Sequence, residues 1–550
     1  MELLSFDIFD TCLIRKCGEP NNVFDIMAER AFCTPVTSEE KRAFVASRIE
    51  AAVNSWSENQ TLRDIYDTFQ YDHPNLKPKH ELIELEQSVE REMLCPVQEM
   101  VNFITSARRK GKRIVFISDM YLGGVFLKSI LQEAGLYQQG DSIYVSCDVG
   151  ATKASGELFS FVHQQENIPY REWHHYGDNA NSDVKAPRKL GIHAHLISYK
   201  NTSYQLAMKK IPSLSYQWGS MLAGISRSIA LQGERSAHKD FVLDVIAPLF
   251  ISFAYRVLSD AHQKGIQSLY FCARDAYPLY RIAVKLQSLF PDVSVQYLYI
   301  SRKSLYEGDD ANKIGYFRQI GLASQSANNA IVDIRSSGKT LQVLNKLVTL
   351  DGCNPIFGYF FELCPVNNAQ RQGFNCYVEL DDLYLQLANV AMKKLPSNWY
   401  LYELFFPLNV QKRTIGYKWN GYEYEPVLEA EDNKEYYLKD LSECVDWRNW
   451  AFDYYTDCYI QLGLNNYANE VFTQYAITQL ASFFLAPDRH YLKALACFYG
   501  LDPQKGYLPY VDKALFRLPR NIIKHRTLWK RGTLFYSLPA WLCKLLYKIK

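Results

Sequence analysis

Hydrophobic and polar positions along the chain fall into two blocks of strand–helix alternation followed by an aromatic-rich stretch. Residues 3–9 form a short apolar run broken by Asp7, the pattern of a buried strand that delivers an acid at its end. From about 23 to 94 the spacing turns helical, and Thr37 and Glu40 are placed as a capping box before the run FVASRIEAAV. Strands return at 113–117 (RIVFI), 142–145 (SIYV) and 173–176, with helices between them. Such alternation predicts a parallel sheet with its chemistry at the carboxyl ends of the strands. A polar stretch around 200–213 leads into a long apolar helix, FVLDVIAPLFISFAYRVLSDAHQKG. A second alternation follows, with strands at 268–272, 295–300, 330–334 and 356–361. The predicted organisation is an α/β domain over 1–200 with a helical insertion at about 20–100, a connection over 201–235, a second α/β domain over 236–430, and a mainly helical region over 431–550.

Length and composition agree with this division, since 550 residues at 48% hydrophobic content can bury two to four cores. A net charge of +2 excludes nucleic-acid binding by bulk electrostatics, although residues 513–550 hold ten Lys and Arg and no acid. The 13 cysteines are scattered, without zinc spacing or a disulfide framework, which predicts a reducing cytosol. The opening MELLSFDIFD lacks the order of a signal peptide. The longest apolar stretch, 245–258, holds Pro248 and Arg256 and falls short of the ~20 residues of a membrane span, so it is expected to be a core helix.

Four polar pieces lie at strand ends of the first domain: Asp7 and Asp10 in FDIFDT, Ser118 after RIVFI, Lys153 in GATKASGELF, and Asp178 with Asp183 in YGDNANSD. Covalent hydrolysis of a phosphate ester needs such a set: a carboxylate nucleophile, a hydroxyl and an ammonium for the phosphoryl oxygens, and further carboxylates for Mg²⁺. Single acids after strands also serve as helix caps, and Ser118–Asp119 and Asp183 remain open between the two roles. The four pieces, in this order, resemble the motifs of the haloacid dehalogenase (HAD) phosphatases. That resemblance implies a Rossmann-like domain with a helical cap, Asp7 as nucleophile, Ser118 and Lys153 as phosphoryl-binding groups, and Mg²⁺ held by Asp7, Phe9, Asp178 and Asp183, where Phe9 has only its main-chain oxygen to offer. The family's second acid, two residues after the nucleophile, is replaced here by Phe9. Asp10 is expected to act as the acid and base instead.

The second domain contains AIVDIRSSGKTLQVL, an apolar strand ending in Asp333, a small-residue loop and an apolar-periodic helix. This order aims backbone N–H groups and hydroxyls at one anion, and Asp333 at a diol. A capped βα loop would read the same way. Asp333, Ser336, Ser337, Gly338, Lys339 and Thr340 resemble the phosphoribosyl-pyrophosphate (PRPP) loop of type I phosphoribosyltransferases, with Val332 in place of that motif's first acid. On the same resemblance YFCARDA supplies Arg274 and Asp275 to a pyrophosphate loop, and YISRKSLY supplies Arg302 and Lys303.

In tandem the two domains resemble the two-module proteins of bacterial polysaccharide gene clusters that install ribofuranose. The resemblance implies PRPP and a lipid-linked glycan acceptor as partners, and a cytoplasmic protein at the inner face of the membrane. The tail LWKRGTLFYSLPAWLCKLLYKIK interleaves basic and apolar residues and is expected to lie on an anionic bilayer, or to pack on the protein's own surface. The competing expectation is a sugar-phosphate phosphatase whose C-terminal half only recognises or scaffolds.

Overall fold

The structure is a computed structural model that describes residues 2–208, 216–336, 338–363, 375–376, 412–430, 441–467, 472, 476, 479–480, 483–484, 486–496, 499–502, 506–509, 511–512, 527 and 529–547. The chain divides into two compact units, Met1–Arg235 and Ser236–Lys550.

Unit 1 is built on a parallel sheet of β1 (Leu3–Phe6), β4 (Arg113–Ser118), β5 (Ser142–Val145), β6 (Trp173–Gly177) and β7 (His193–Leu196), in the order β5-β4-β1-β6-β7. All four residues of β1 are buried, as a central strand covered on both faces requires. It pairs with β4 on one side and β6 on the other, at the point where the strand order reverses, so the residue after its last pair faces a crevice. That residue is Asp7. The strand ends before the predicted Phe9 because the chain turns sharply. The Cys12 and Leu13 amides both donate to the Ile8 carbonyl (2.9 and 2.8 Å), with Asp10 in the left-handed region at φ 55°. The turn leads into β2 (Leu13–Arg15), which pairs antiparallel with β3 (Leu94–Pro96) and ties together the two ends of the helical insertion. Neither three-residue strand nor the polar β7 was visible in the periodicity.

The insertion comprises helices Asn22–Ala28, Ser38–Asn54, Leu62–Thr68 and Lys79–Met93. The Thr37–Glu40 capping box is formed, and Thr61 with Asp64 makes a second one. Its core holds Phe44, Ile65, Leu82 and Val89 around a fully buried ion pair, Arg48 with Glu86 at 2.8 and 2.6 Å.

The segment 201–235, expected to be a connection, is structurally part of unit 1. Its helix Tyr216–Ala230 lies against the loop after β2, where Gly18 meets Gly224 backbone to backbone. Asn22 donates to Ser220 Oγ (2.5 Å), and the Gln98 amide donates to the Leu231 carbonyl (3.0 Å).

Unit 2 opens with a continuous helix over Ala237–Gln263, interrupted by one π turn at Val242–Ile246. It is longer than the 245–258 stretch because its first turns are amphipathic. By length and composition it could cross a membrane, but 89% of its most apolar window is buried inside the protein, as a core helix requires. The sheet has β8 (Ser268–Cys272), β9 (Ser294–Leu298), β10 (Asn329–Ser336), β11 (Phe357–Leu363) and β12 (Asn375–Cys376), parallel, in the order β12-β11-β10-β8-β9. An antiparallel hairpin, β13 (Thr414–Trp419) and β14 (Tyr424–Leu428), is anchored by Tyr417, which stacks on Tyr316 and donates to the Tyr299 carbonyl. Residues 431–550, expected to form a separate region, belong to the same unit. Asp453 and Asp457 of helix Leu441–Gln461 pair with Arg281 and Lys285. A hairpin of β15 (Tyr499–Asp502) and β16 (Gly506–Pro509) interrupts its helices.

A methyl group on Gly224 would lie 2.3 Å from the Gly18 nitrogen and 2.5 Å from the Lys16 carbonyl oxygen, both main-chain atoms that cannot swing aside. Gly224→Ala is expected to destabilise unit 1 by about 1–3 kcal/mol, measured by urea unfolding.

Candidate active site

Four strand ends of unit 1 deliver their polar residues to one cavity of about 850 Å³, lined by Asp7, Ser118, Lys153, Asp178 and Asp183 among others. Asp7 is held at the tip of β1 by its own amide, which donates to the Tyr176 carbonyl (2.8 Å). Lys153, nearly fully buried, donates to Asp7 Oδ1 (2.5 Å) and to Asp183 Oδ1 (2.7 Å). Its loop is fixed from below, because its backbone amide donates to both Asp119 oxygens (2.9 and 3.1 Å). Ser118 is buried at the end of β4 and lines the same cavity.

Asp183 sits on a π turn, Ala180–Lys185, whose entry is capped by Asn179 rather than by Asp183. Its Oδ2 accepts the Asn179 amide (3.0 Å), and its Oδ1 also contacts His175 Nε2 (3.2 Å). A buried relay stands behind that histidine: Trp173 Nε1 donates to Ser5 Oγ (2.7 Å), which lies 2.7 Å from His175 Nδ1. The ionised Asp183 can only accept, so Nε2 carries the proton, and in a neutral ring Nδ1 then accepts from the Ser5 hydroxyl. The network therefore assigns a neutral imidazole carrying its proton on Nε2, directed at Asp183. Burial holds the His175 pKa below its usual value, in keeping with a neutral ring.

One oxygen each from Asp7, Asp178 and Asp183 can be chosen so that all three lie within 4.8 Å of one another. Burial, with added repulsion from Asp183 and Asp178, pushes the Asp7 carboxyl up to about 7 despite Lys153. Burial and Asp10 push Asp178 up to about 6. Hydrogen bonds from His175 and Lys153, with the charge of Lys153, overcome burial at Asp183 and hold it below the carboxylate range. A set of hard oxygens under mutual repulsion fits a small divalent cation. Asp183 already accepts three hydrogen bonds, which leaves one lone-pair direction for a cation or its water.

Phe9 and Asp10 also line the cavity. The Phe9 ring lies under the Arg15 guanidinium at 4.5 Å, so its side chain offers no proton. Asp10 is engaged by Arg227 Nη2 (3.2 Å) from helix Tyr216–Ala230. Sequence reasoning misses His175 and Arg227, and names Asp119 only beside Ser118 as part of a cap. The alternation in WHHYG, with positions 173, 175 and 177 inward, carried a signal for His175; the Asp10–Arg227 pair, 217 residues apart, had none.

In unit 2, Asp275 follows β8 and Asp333 lies on β10, the two strands between which the sheet order reverses. Burial and Asp275 push Asp333 up to about 7, opposed by its own hydrogen bond from the Ile334 amide and by Arg302. Burial also raises Asp275, which Arg274 and Arg302 pull back. These acids and Arg302 thus share one neighbourhood. Lys303 is drawn towards Glu429 (3.8 Å). Gly338, at φ 76°, caps the helix Lys339–Leu350, on whose first turn Lys339 is exposed and Thr340 half-buried. Ser337 and the Ser336 side chain lie outside the described residues. Val332 is fully buried, so this chain has a core residue where an acid would meet a ligand.

A buried strand-end carboxylate bridged by lysine to an acid pair, on a parallel sheet with a helical insertion, defines a hydrolase site of the α/β class. Residues 1–191 match the family described as haloacid dehalogenase-like hydrolase, and this segment is a HAD-like hydrolase domain. No curated protein matches the chain. Among solved structures, a HAD phosphatase from Thermococcus onnurineus is 17% identical over 37% of this chain and 88% of its own, with a TM-score of 0.28. A HAD family enzyme from Bacteroides thetaiotaomicron, in complex with magnesium and inorganic phosphate, is 12% identical over 38% and 98%, with a TM-score of 0.29. An L-2-haloacid dehalogenase is 16% identical over 36% and 85%, with a TM-score of 0.27.

A Cβ on Gly177 would lie 2.4–2.5 Å from the Asp183 side chain. Gly177→Ala is expected to displace that carboxylate and lower turnover by about 10–100-fold at unchanged far-UV circular dichroism.

Proposed function

We propose that this chain is a bifunctional enzyme that adds ribofuranose to a bacterial glycan. Unit 2 transfers 5-phosphoribosyl from PRPP to a sugar hydroxyl, and unit 1 then removes the 5-phosphate. The observation that carries the phosphatase half is Asp7, buried at a strand tip, held by Lys153 and grouped with Asp178 and Asp183.

In this reading the free oxygen of Asp7 attacks phosphorus and forms an aspartyl-phosphate as the sugar alkoxide leaves. Lys153 and Ser118 hold the phosphoryl oxygens. Asp10 supplies the proton to the leaving oxygen and later takes one from the water that hydrolyses the aspartyl-phosphate. Asp7, Asp178, Asp183 and the Phe9 main-chain oxygen would hold Mg²⁺, which supplies the positive charge that lets a carboxylate approach a phosphate dianion. In unit 2 the acceptor hydroxyl attacks the anomeric carbon of PRPP, loses its proton and expels pyrophosphate with inversion. Asp333 would hold the ribose diol and the loop from Ser336 to Thr340 the 5-phosphate, while Arg274, Asp275, Arg302 and Lys303 would face the pyrophosphate. The grouping of Asp275, Asp333 and Arg302 at a strand-order reversal supports this half. Helix Ala540–Tyr547 exposes Trp541, Leu545 and Leu546 beside Lys544, which suits the membrane surface where a lipid-linked acceptor would reside. We place the protein accordingly in the cytoplasm, at the inner face of the membrane.

The buried Val332 favours a second reading, in which unit 1 is a sugar-phosphate phosphatase and unit 2 only recognises or scaffolds.

Mass spectrometry of a glycan acceptor with PRPP separates the two. Asp7→Asn is expected to accumulate acceptor plus phosphopentose, and the unaltered enzyme acceptor plus pentose. Release of no pyrophosphate with any acceptor would leave the second reading. Asp7→Asn and chelation of divalent cations should each abolish phosphate release, and Asp10→Asn should do so as well.

A further inference from the structure

The reacting groups occupy only one end of the cavity in unit 1. The remainder is walled by the helical insertion, and its charges are balanced in an unusual way. Three cations line the cavity: Arg15, Arg48 and Lys153. Each is already paired. Arg15 meets Glu90 through two hydrogen bonds (3.1 and 3.0 Å), Arg48 meets Glu86 through two (2.8 and 2.6 Å), and Lys153 meets Asp7 and Asp183. Glu86 accepts a third hydrogen bond from Tyr66 (2.9 Å), and the Arg48 guanidinium is enclosed by the rings of Phe24, Tyr66 and Tyr121. Neither pair can therefore open cheaply to free a positive charge, because the charge left behind would be buried alone. Six carboxylates face the same space: Asp7, Asp10, Glu90, Asp119, Asp178 and Asp183. Even with one divalent cation at the acid cluster the lining stays net negative, and a bound phosphate dianion makes it more so.

The same helix that carries Arg48 also gives the cavity an apolar lining. Ile49, Ala52, Val53 and Trp56 follow one another at helical spacing along and just beyond Ser38–Asn54, and all line the cavity. Val53 is 68% exposed and Trp56 71% exposed, so the indole is open to a ligand in the cavity. An exposed indole in a cavity whose guanidiniums are already ion-paired suits a ring with C–H faces and hydroxyl edges, and its negative face disfavours a second anion.

We infer that the group esterified to the phosphate is an uncharged sugar, and that unit 1 discriminates against substrates carrying a second negative charge, with Trp56 stacking on the sugar and the Arg48–Glu86 and Arg15–Glu90 pairs setting the charge preference. The inference rests on Asp7 being the phosphoryl acceptor, and its test separates the two. The full chain is assayed with magnesium on acetyl phosphate, on an aldose phosphate and on the aldonate phosphate of the same carbon number. Hydrolysis of acetyl phosphate that vanishes in Asp7→Asn establishes the nucleophile independently of the sugar; its failure would sink that reading instead. Given that activity, kcat/KM is expected to favour the aldose phosphate over the aldonate by about tenfold or more. Glu86→Gln, which leaves Arg48 uncompensated, is expected to narrow or invert that ratio. Should Glu86→Gln not fold, Trp56→Ala, which changes an exposed side chain, is expected to raise KM for the aldose phosphate more than for acetyl phosphate. Equal or better use of the aldonate by the unaltered enzyme would overturn the inference, and so would a Trp56→Ala protein with unchanged KM for the sugar.

Discussion

Carboxylates as close as those of Asp7, Asp178 and Asp183 repel one another strongly in a cavity floor, and among the described residues Lys153 is the ammonium that bridges two of them, Asp7 and Asp183. The rest of unit 1 can be understood as support for that contact. Asp119 anchors the Lys153 main chain, and His175 is turned by Ser5 and Trp173 so that its remaining proton faces Asp183. Gly177 leaves the space that the Asp183 side chain fills. The result is asymmetric. Asp183 accepts three hydrogen bonds and is firmly ionised, whereas Asp7 and Asp178 are pushed up. A site of this kind spends its fixed donors on orienting Asp183 and leaves Asp7 and Asp178 less committed.

Sequence periodicity located the elements that carry this site, because a strand buried on both faces is a run of apolar residues and its terminal acid is conspicuous. The runs at β1, β4 and β8 are of that kind. It could not locate β2 and β3, three residues each, whose pairing is decided by the turn at Ile8–Leu13 rather than by pattern. The polar strand β7 was equally silent, since three of its four residues are exposed and no alternation marks it. Within the site, Asp7, Ser118, Lys153, Asp178 and Asp183 were legible because their types and order are chemically restrictive. The buried pairs Arg48–Glu86 and Arg15–Glu90 were not, because charges in helices, where Arg48, Glu86 and Glu90 lie, ordinarily indicate solvated faces and only the fold shows these turned inward.

The two sheets pose the same topological problem and answer it differently. Each reverses its strand order once and gathers acids beside the reversal. In unit 1 the acids are met by a buried lysine, in unit 2 by arginines of exposed loops, and Val332 occupies a core position where an additional acid would have added to the charge. Unit 2 is accordingly the less constrained of the two centres. Asp275 adds to the burial that raises the Asp333 pKa, and Arg302, an exposed side chain, opposes the rise at both acids.

The close approach of Gly18 to Gly224 has a practical meaning for anyone dissecting the chain. Helix Tyr216–Ala230 lies outside the segment matched by the hydrolase family, yet Met221, Leu222 and Ile225 are buried and Arg227 reaches Asp10. A fragment cut at residue 191 would lose the Arg227 partner of Asp10 and lay bare the loop that this helix covers. The first compact unit runs on to Arg235.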